Sequence, residues 1–308
     1  MATFTIGIDI GGTNTDIGLV NDNGQVLDRR NLATATYEHI QNYVDDIVKT
    51  VHVLMDKNHI VTIEGIGIGA PNGNYYSGSI VNAANLNFKG IIPLKDMIQK
   101  SFHTKVVLTN DANAATYGEK IYGGAKQLND FIMITLGTGV GSGIFSNGKM
   151  IYGYDGMAGE LGHITLIYNG RKCKCGRVGC LEEYASSRGI CQNYNDLRIK
   201  NNLPPLDDID CLQLSIAAEH GDTLAIQAWK DTAHYLGLAL ANAVAFVSPQ
   251  AIFLMGGPVK AGHWLLDPLK VAFEENLLPI YRGHIQLSLS ALPENDAAIL
   301  GAAALVRE

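Results

Sequence analysis

The pattern Ile10-Gly11-Gly12-Thr13, followed by a β-like run and Asn23-Gly24, returns as Leu136-Gly137-Thr138-Gly139, again followed by a β-like run and Asn147-Gly148. A strand that breaks at glycines, resumes as a second strand and closes on Asn-Gly has the form of an antiparallel hairpin. Two such hairpins make internal duplication the better explanation of the chain. Whatever fold it takes must therefore accommodate the same unit twice.

The flanking segments carry the repeat further. β-like runs over residues 3–10, 16–21 and 25–32 form the first meander. Residues 37–55 then place Ile40, Tyr43, Val44, Ile47, Val48, Val51 and Leu54 at helical spacing, on one face. A buried strand over 63–70 ends at Pro71-Asn72-Gly73, with a small excursion over 75–81. A helix over 93–102, a strand over 105–109 and a helix opening at Asn110-Asp111 complete a βββαβαβα order.

The second half starts with runs over 130–136, 141–145 and 149–152. After an insertion, with a loop over 201–210 around Pro204-Pro205, come a helix over 224–246 and a strand over 251–255 ending at Gly256-Gly257. A helix over 264–275, a strand over 285–290 and a final helix capped near Asn295 or Asp296 follow. The expected class is α/β, a duplicated βββαβαβα fold of two lobes. Residues 1–120 plus 295–308 form the smaller lobe, and 121–294 the larger, with an insertion at about 155–190.

A length of 308 residues suits two medium domains, and 47% hydrophobic residues with 34 glycines describe a globular chain of many tight turns. The formal charge of −7 argues against nucleic acid or anionic lipid as partner, because both need a basic face. The opening has no cationic leader, and no apolar run is long enough to span a bilayer, so the expected location is cytoplasmic. Cys173, Cys175 and Cys180 crowd together, whereas Cys191 and Cys211 carry no signal.

Gly11 and Gly12 let backbone N–H groups approach phosphate oxygens. A carboxylate beside such a cradle repels phosphate unless a divalent cation intervenes, so Asp9 is read as facing Mg²⁺. The plainer alternative is a glycine hairpin with Asp9 in solvent. Two hairpins, one from each half, can grip one polyphosphate across a cleft. Asp111 lies where a strand gives way to a helix, the ligand-facing end of an α/β sheet. There it can take a proton from a substrate hydroxyl attacking a phosphoryl group, with Asn110 orienting the substrate. Its alternative is a simple N-cap.

Residues 155–163 read Asp-Gly-Met-Ala-Gly-Glu160-Leu-Gly-His163, and Cys173-Lys-Cys175-Gly-Arg-Val-Gly-Cys180-Leu-Glu182 follows closely. Three cysteines and a nearby histidine supply the four ligands of a closed tetrahedral zinc site. A redox pair is the rival reading, but Cys173 and Cys175 lack Cys-x-x-Cys spacing. A structural zinc would fix Glu160 and Glu182 on either side of the knot, where they can accept from sugar hydroxyls; simple exposure is their bland alternative.

Together these motifs, with Asn110-Asp111-Ala-Asn-Ala-Ala, Leu136-Gly-Thr-Gly-Val-Gly141 and Met255-Gly-Gly257, resemble the sugar kinases of the ROK family in its glucokinase-like branch, over essentially the full length. The resemblance implies an actin-like, ribonuclease H-like ATPase fold with a zinc-knot insertion, and a dimer of cytoplasmic chains in carbohydrate metabolism. It makes Asp111 the base for a hexose 6-hydroxyl. It puts Asn110, Glu160, His163 and Glu182 on the sugar, with His163 also a zinc ligand beside Cys173, Cys175 and Cys180. ATP phosphates fall at Gly11, Gly12, Thr13, Thr138 and Gly139, adenosine near Gly256 and Gly257, and Mg²⁺ near Asp9.

Pro71-Asn72-Gly73 departs from the family's usual Pro-Gly. The family's repressors carry a DNA-binding helical domain ahead of the first strand, and only Met1 to Thr5 precede this one. The resulting expectation is ATP-dependent phosphorylation of glucose. N-acetylmannosamine, N-acetylglucosamine or fructose are alternative acceptors, and a non-catalytic sugar-binding regulator is the alternative from another class.

Overall fold

A computed structural model describes residues 3–308. The first half opens with β1 (Phe4–Ile10), β2 (Thr15–Asn21) and β3 (Val26–Leu32), an antiparallel meander joined by tight turns. A short 3-10 turn leads into α1 (Ile40–Lys57), whose buried Tyr43, Val44, Ile47, Val51 and Leu54 cover the sheet. Next come β4 (Gly65–Gly69), β5 (Gly73–Asn74), β6 (Ser79–Val81), β7 (Ile91–Ile92), α2 (Leu94–Gln99), β8 (Lys105–Thr109) and α3 (Asp111–Ile121). The excursion after β4 is a small separate sheet, in the order β5-β6-β7. Asn72 enters it with φ 51° and donates its side-chain amide to the Val81 carbonyl at 3.0 Å, so the extra residue in the Pro-Asn-Gly loop is used to fasten the turn.

The second half runs β9 (Phe131–Leu136), β10 (Val140–Ser146), β11 (Lys149–Met150), α4 (Glu182–Ala185), α5 (Ser187–Lys200), α6 (Cys211–Glu219), α7 (Thr223–Val247), β12 (Ala251–Gly256), α8 (His263–Asn276), β13 (Gln286–Leu289) and α9 (Ala297–Ala304). The expected third strand over 149–152 is shorter, because Tyr152 leaves the ladder to stack on Tyr75 with centroids 3.9 Å apart. The final helix is also not capped as expected. Asp296 precedes it without a side-chain cap, its carboxylate being taken by Arg29 at 2.5 Å. Helices α4, α5 and α6 lie between β11 and α7; only α4 falls wholly within the insertion expected at about 155–190, and α5 and α6 extend the helical segment past it.

The two large sheets share one plan. Their orders are β3-β2-β1-β4-β8 and β11-β10-β9-β12-β13, the same permutation twice. In each, the central strand pairs antiparallel with its hairpin partner and parallel with the strand beyond. Parallel strands need crossover helices, which α1 and α7 supply in corresponding places.

By contacts the chain forms two compact units, one of residues 3–128, 150–158 and 290–308, the other of 129–149 and 159–289. The first is cored by Ile6, Ile8, Ile47, Val51, Ile66 and Ile68, the second by Ile132, Ile134, Trp229, Leu240, Ile252 and Phe273. Helix α9, though last in sequence, belongs to the first unit and packs on α3, β1 and β4. Its approach is close enough that a methyl on Gly7 or Gly67 would collide with the carbonyls of Ile299 or Ala302. Glycine in these strands is thus a packing requirement.

Candidate functional site

In the first unit, the parallel strands β1, β4 and β8 bring the loop at Gly11–Thr13 and the start of α3 to the same sheet edge. Asn110 is the N-cap of α3: its side-chain oxygen accepts from Asn113 N–H at 2.7 Å. That leaves Asp111 in the first turn, where free backbone N–H groups favour its anion. One of its oxygens accepts from Ala112 N–H at 2.9 Å. Gly69 lies between the acids, a methyl there falling 3.7 Å from Asp9 Oδ1 and 3.8 Å from the Asp111 backbone.

A third acid completes the group. Asp16 stands directly opposite Asp9 in the β1–β2 register and accepts from Asn31 at 2.9 Å. Burial, then Asp111, then Asp16 push the Asp9 carboxyl up to about 7. Burial also raises Asp111, against hydrogen bonds from the backbone at Ala112 and at its own N–H. Asp111 nevertheless keeps solvent contact, so it is enclosed by protein and still open to a ligand. Three crowded carboxylates beside a glycine turn are the donor set a hard cation takes, and a cation would relieve the repulsion among them. Nothing in residues 3–10 points to Asp16; the signal was pairing arithmetic across the tight β1–β2 turn.

In the second unit, parallel β9 and β12 bring Thr138-Gly139 and Gly256-Gly257 to one edge, with Leu136 paired to Gly256. Thr138, Gly256 and Gly257 are exposed there. The segment before the knot is held by Ser142, whose hydroxyl donates to the Gly159 carbonyl and accepts from Leu161 N–H at 3.3 Å. This sets Glu160, exposed, immediately ahead of the 3-10 turn Leu161–His163.

His163, Cys173, Cys175 and Cys180 converge, with one ligand atom from each lying within 4.8 Å of all the others. Cys173 Sγ is 3.7 Å from His163 Nδ1, and Cys175 Sγ is 3.7 Å from Cys180 Sγ. Zinc–sulfur bonds of about 2.3 Å in a tetrahedron separate two sulfurs by about 3.8 Å, so the donor set fits zinc. The loop is shaped by Cys173 N–H bonding Arg177 O at 2.9 Å and Gly176 N–H bonding Cys173 O at 3.0 Å. Gly179, with φ 77°, passes against the Ile167 carbonyl where no side chain fits.

Two residues beyond Cys180, Glu182 opens α4 and accepts from Val140 N–H at 3.1 Å. Glu182, half-buried, therefore touches the glycine turn as well as following the knot. The sequence carries no sign of that contact, since 42 residues separate its partners. The first unit thus gathers Asp9, Gly11, Gly12, Thr13, Asn110 and Asp111, and the second gathers Thr138, Gly139, Glu160, His163, Glu182, Gly256, Gly257 and the cysteines. No helix among the described residues is long and apolar enough to cross a membrane.

The chain is 32% identical to a glucokinase of Halalkalibacterium halodurans over 98% of its own length and 94% of that protein. It is 31% identical to the xylose repressor of Bacillus spizizenii, covering all of this chain and 78% of the repressor. Among solved structures, a ROK family glucokinase from Streptomyces griseus, in complex with glucose and AMPPNP, superposes with a TM-score of 0.78 at 31% identity, over 99% of both chains. The fold is the actin-like ATPase fold of the ROK sugar kinases. The family profile matches residues 5–308, and the chain belongs to the ROK family.

Proposed function

We propose that the protein is an ATP-dependent hexose kinase that transfers the γ-phosphoryl of MgATP to the 6-hydroxyl of glucose. The observation that carries this reading is Asp111, held at the start of α3 beside Asp9, enclosed enough to be basic and open enough to reach a ligand. A carboxylate whose proton affinity is raised accepts a hydroxyl proton more readily. In the proposed step the sugar oxygen attacks the γ-phosphorus, Asp111 takes its proton, and ADP leaves with the electron pair of the broken P–O bond.

The other residues bind and orient. Gly11, Gly12 and Thr13, with Thr138 and Gly139, hold phosphates; Gly256 and Gly257 line the adenosine. Asp9 holds Mg²⁺, which neutralises charge on the phosphates when bound. Glu160, His163 and Glu182 take sugar hydroxyls, and Asn110 offers its amide N–H, its oxygen being committed to the cap. Were Nδ1 of His163, which lies toward the sulfurs, to ligate zinc, Nε2 would carry the proton and could donate to a sugar hydroxyl. His163 and the three cysteines would hold zinc with all four of its positions filled by protein atoms, and the metal would then serve to fix this segment.

The glucokinase relative and the glucose-bound neighbour support glucose as acceptor. A coupled assay of ADP formation over glucose, fructose, mannose, N-acetylglucosamine and N-acetylmannosamine tests it, with glucose expected to give the highest kcat/KM. The repressor relative favours a second reading, a sugar-binding regulator without catalysis. Sugar binding by calorimetry with no ADP formed on any sugar would establish that reading instead. Family membership also supports a cytoplasmic homodimer, which light scattering would show as twice the chain mass of 33.1 kDa.

A further inference from the structure

We propose that Glu182 is a positioning residue for the nucleotide as well as a sugar contact, tying the zinc knot to the glycine turn at Thr138-Gly139. This rests on the kinase reading above and extends it. The turn is held from outside itself at two points. The Gly137 carbonyl accepts from Ser187 N–H at 2.8 Å, and Val140 N–H donates to Glu182 Oε2 at 3.1 Å. Both partners lie just beyond Cys180, at the starts of α5 and α4. Within the turn there is one short bond, Gly137 N–H to Gly139 O at 2.9 Å. The conformation of a loop with so little internal bonding is set by what grips it.

The space beneath the turn is also filled by Glu182. A methyl on Gly139 would run into its carboxylate, so the glutamate defines how far the turn can fold back. A backbone N–H that does not face a ligand must find an acceptor, and an anionic acceptor is the stronger kind. One oxygen of Glu182 meets that need and leaves the other for a sugar hydroxyl. The carboxylate thus bridges two binding events, and sugar and nucleotide should each favour the other through it.

The test is binding of MgAMPPNP to zinc-loaded protein without sugar, by calorimetry, in parallel with binding of glucose alone. E182A removes the acceptor and is expected to weaken MgAMPPNP about tenfold or more, the range for a lost hydrogen bond to a charged group. E182Q keeps an oxygen for Val140 N–H. It is expected to hold nucleotide affinity within about twofold of wild type while glucose weakens at least about tenfold. Hydrogen exchange on the peptide spanning 136–142 should quicken in E182A and not in E182Q.

Unchanged nucleotide affinity in E182A would overturn the proposal while leaving the kinase reading intact. If E182A fails to keep zinc, E182Q decides alone, and a loss of nucleotide affinity as large as its loss of glucose affinity would overturn the proposal. Wild-type protein that does not bind MgAMPPNP would overturn both readings together.

Discussion

Asp111 and Asp9 are acids of different standing, although they flank the same glycine. Asp111 is raised by burial against hydrogen bonds at its helix start, while Asp9 is raised by burial and by the carboxylates of Asp111 and Asp16. Asp111→Ala should lower kcat by about 10²–10⁴, the usual contribution of a general base, with glucose affinity kept within a few-fold. Steady-state assay and calorimetry on the same preparation separate the two effects. Asp9→Asn should instead raise the Mg²⁺ concentration needed for half-maximal rate, read from a magnesium titration at fixed ATP. These two acids are legible in the sequence because a strand end followed by glycines or a helix start is a recognisable address. Asp16 is not, because its role comes from register across a turn. Asn110 is legible as a polar neighbour, but its commitment as N-cap depends on which residue turns first into the helix, a matter of one position.

At the level of elements, the knot and helix α7 make separate demands. Protein purified without added zinc should contain about one zinc per chain by metal analysis, and Cys175→Ser should lower both zinc content and glucose affinity. Helix α7 starts at Asp222, which accepts from Leu224 N–H at 2.8 Å, Ala225 N–H at 3.2 Å and the Tyr194 hydroxyl at 2.6 Å. Burial acts to raise this carboxyl, but the Tyr194 hydroxyl and the two N–H groups outweigh it and hold it below its usual range. A lowered folded-state value gives a contribution present above the unfolded value near 3.8 and lost as pH falls through the folded one. Asp222→Ala should therefore cost about 1–2 kcal/mol at pH 7 in urea unfolding, and the gap from wild type should begin to narrow only as pH falls below about 4. Helices with a continuous apolar face, such as α1, can be read from spacing. Helices α5 and α6 are harder to read, because each sends only a short apolar set to the core, Ile190 and Tyr194 from one and Leu214 and Ala218 from the other, while α5 is also fastened by Asn193 bonding Tyr184 O and Thr232.

For the whole molecule, the duplication is the part most open to sequence reasoning. Two glycine turns, each followed by Asn-Gly, already fix the order of three strands per copy, and the two sheets carry one strand permutation. What repetition cannot reveal is which strand residues α9 packs against, for its apolar residues name no partner. The glycines it needs, Gly7 and Gly67, are separated from it by more than 200 residues. Gly67→Ala should destabilise the protein by about 1–3 kcal/mol through overpacking, measurable as a lower unfolding midpoint. The function proposed for the molecule rests on both copies supplying phosphate contacts and on Asp111 supplying the base. Phosphorus NMR of wild-type and Asp111→Ala protein incubated with glucose and MgATP tests that most directly. Glucose 6-phosphate and ADP are expected from wild type, and almost none from the variant over the same time. Near-normal product from the variant, or ADP from wild type without a sugar phosphate, would contradict it.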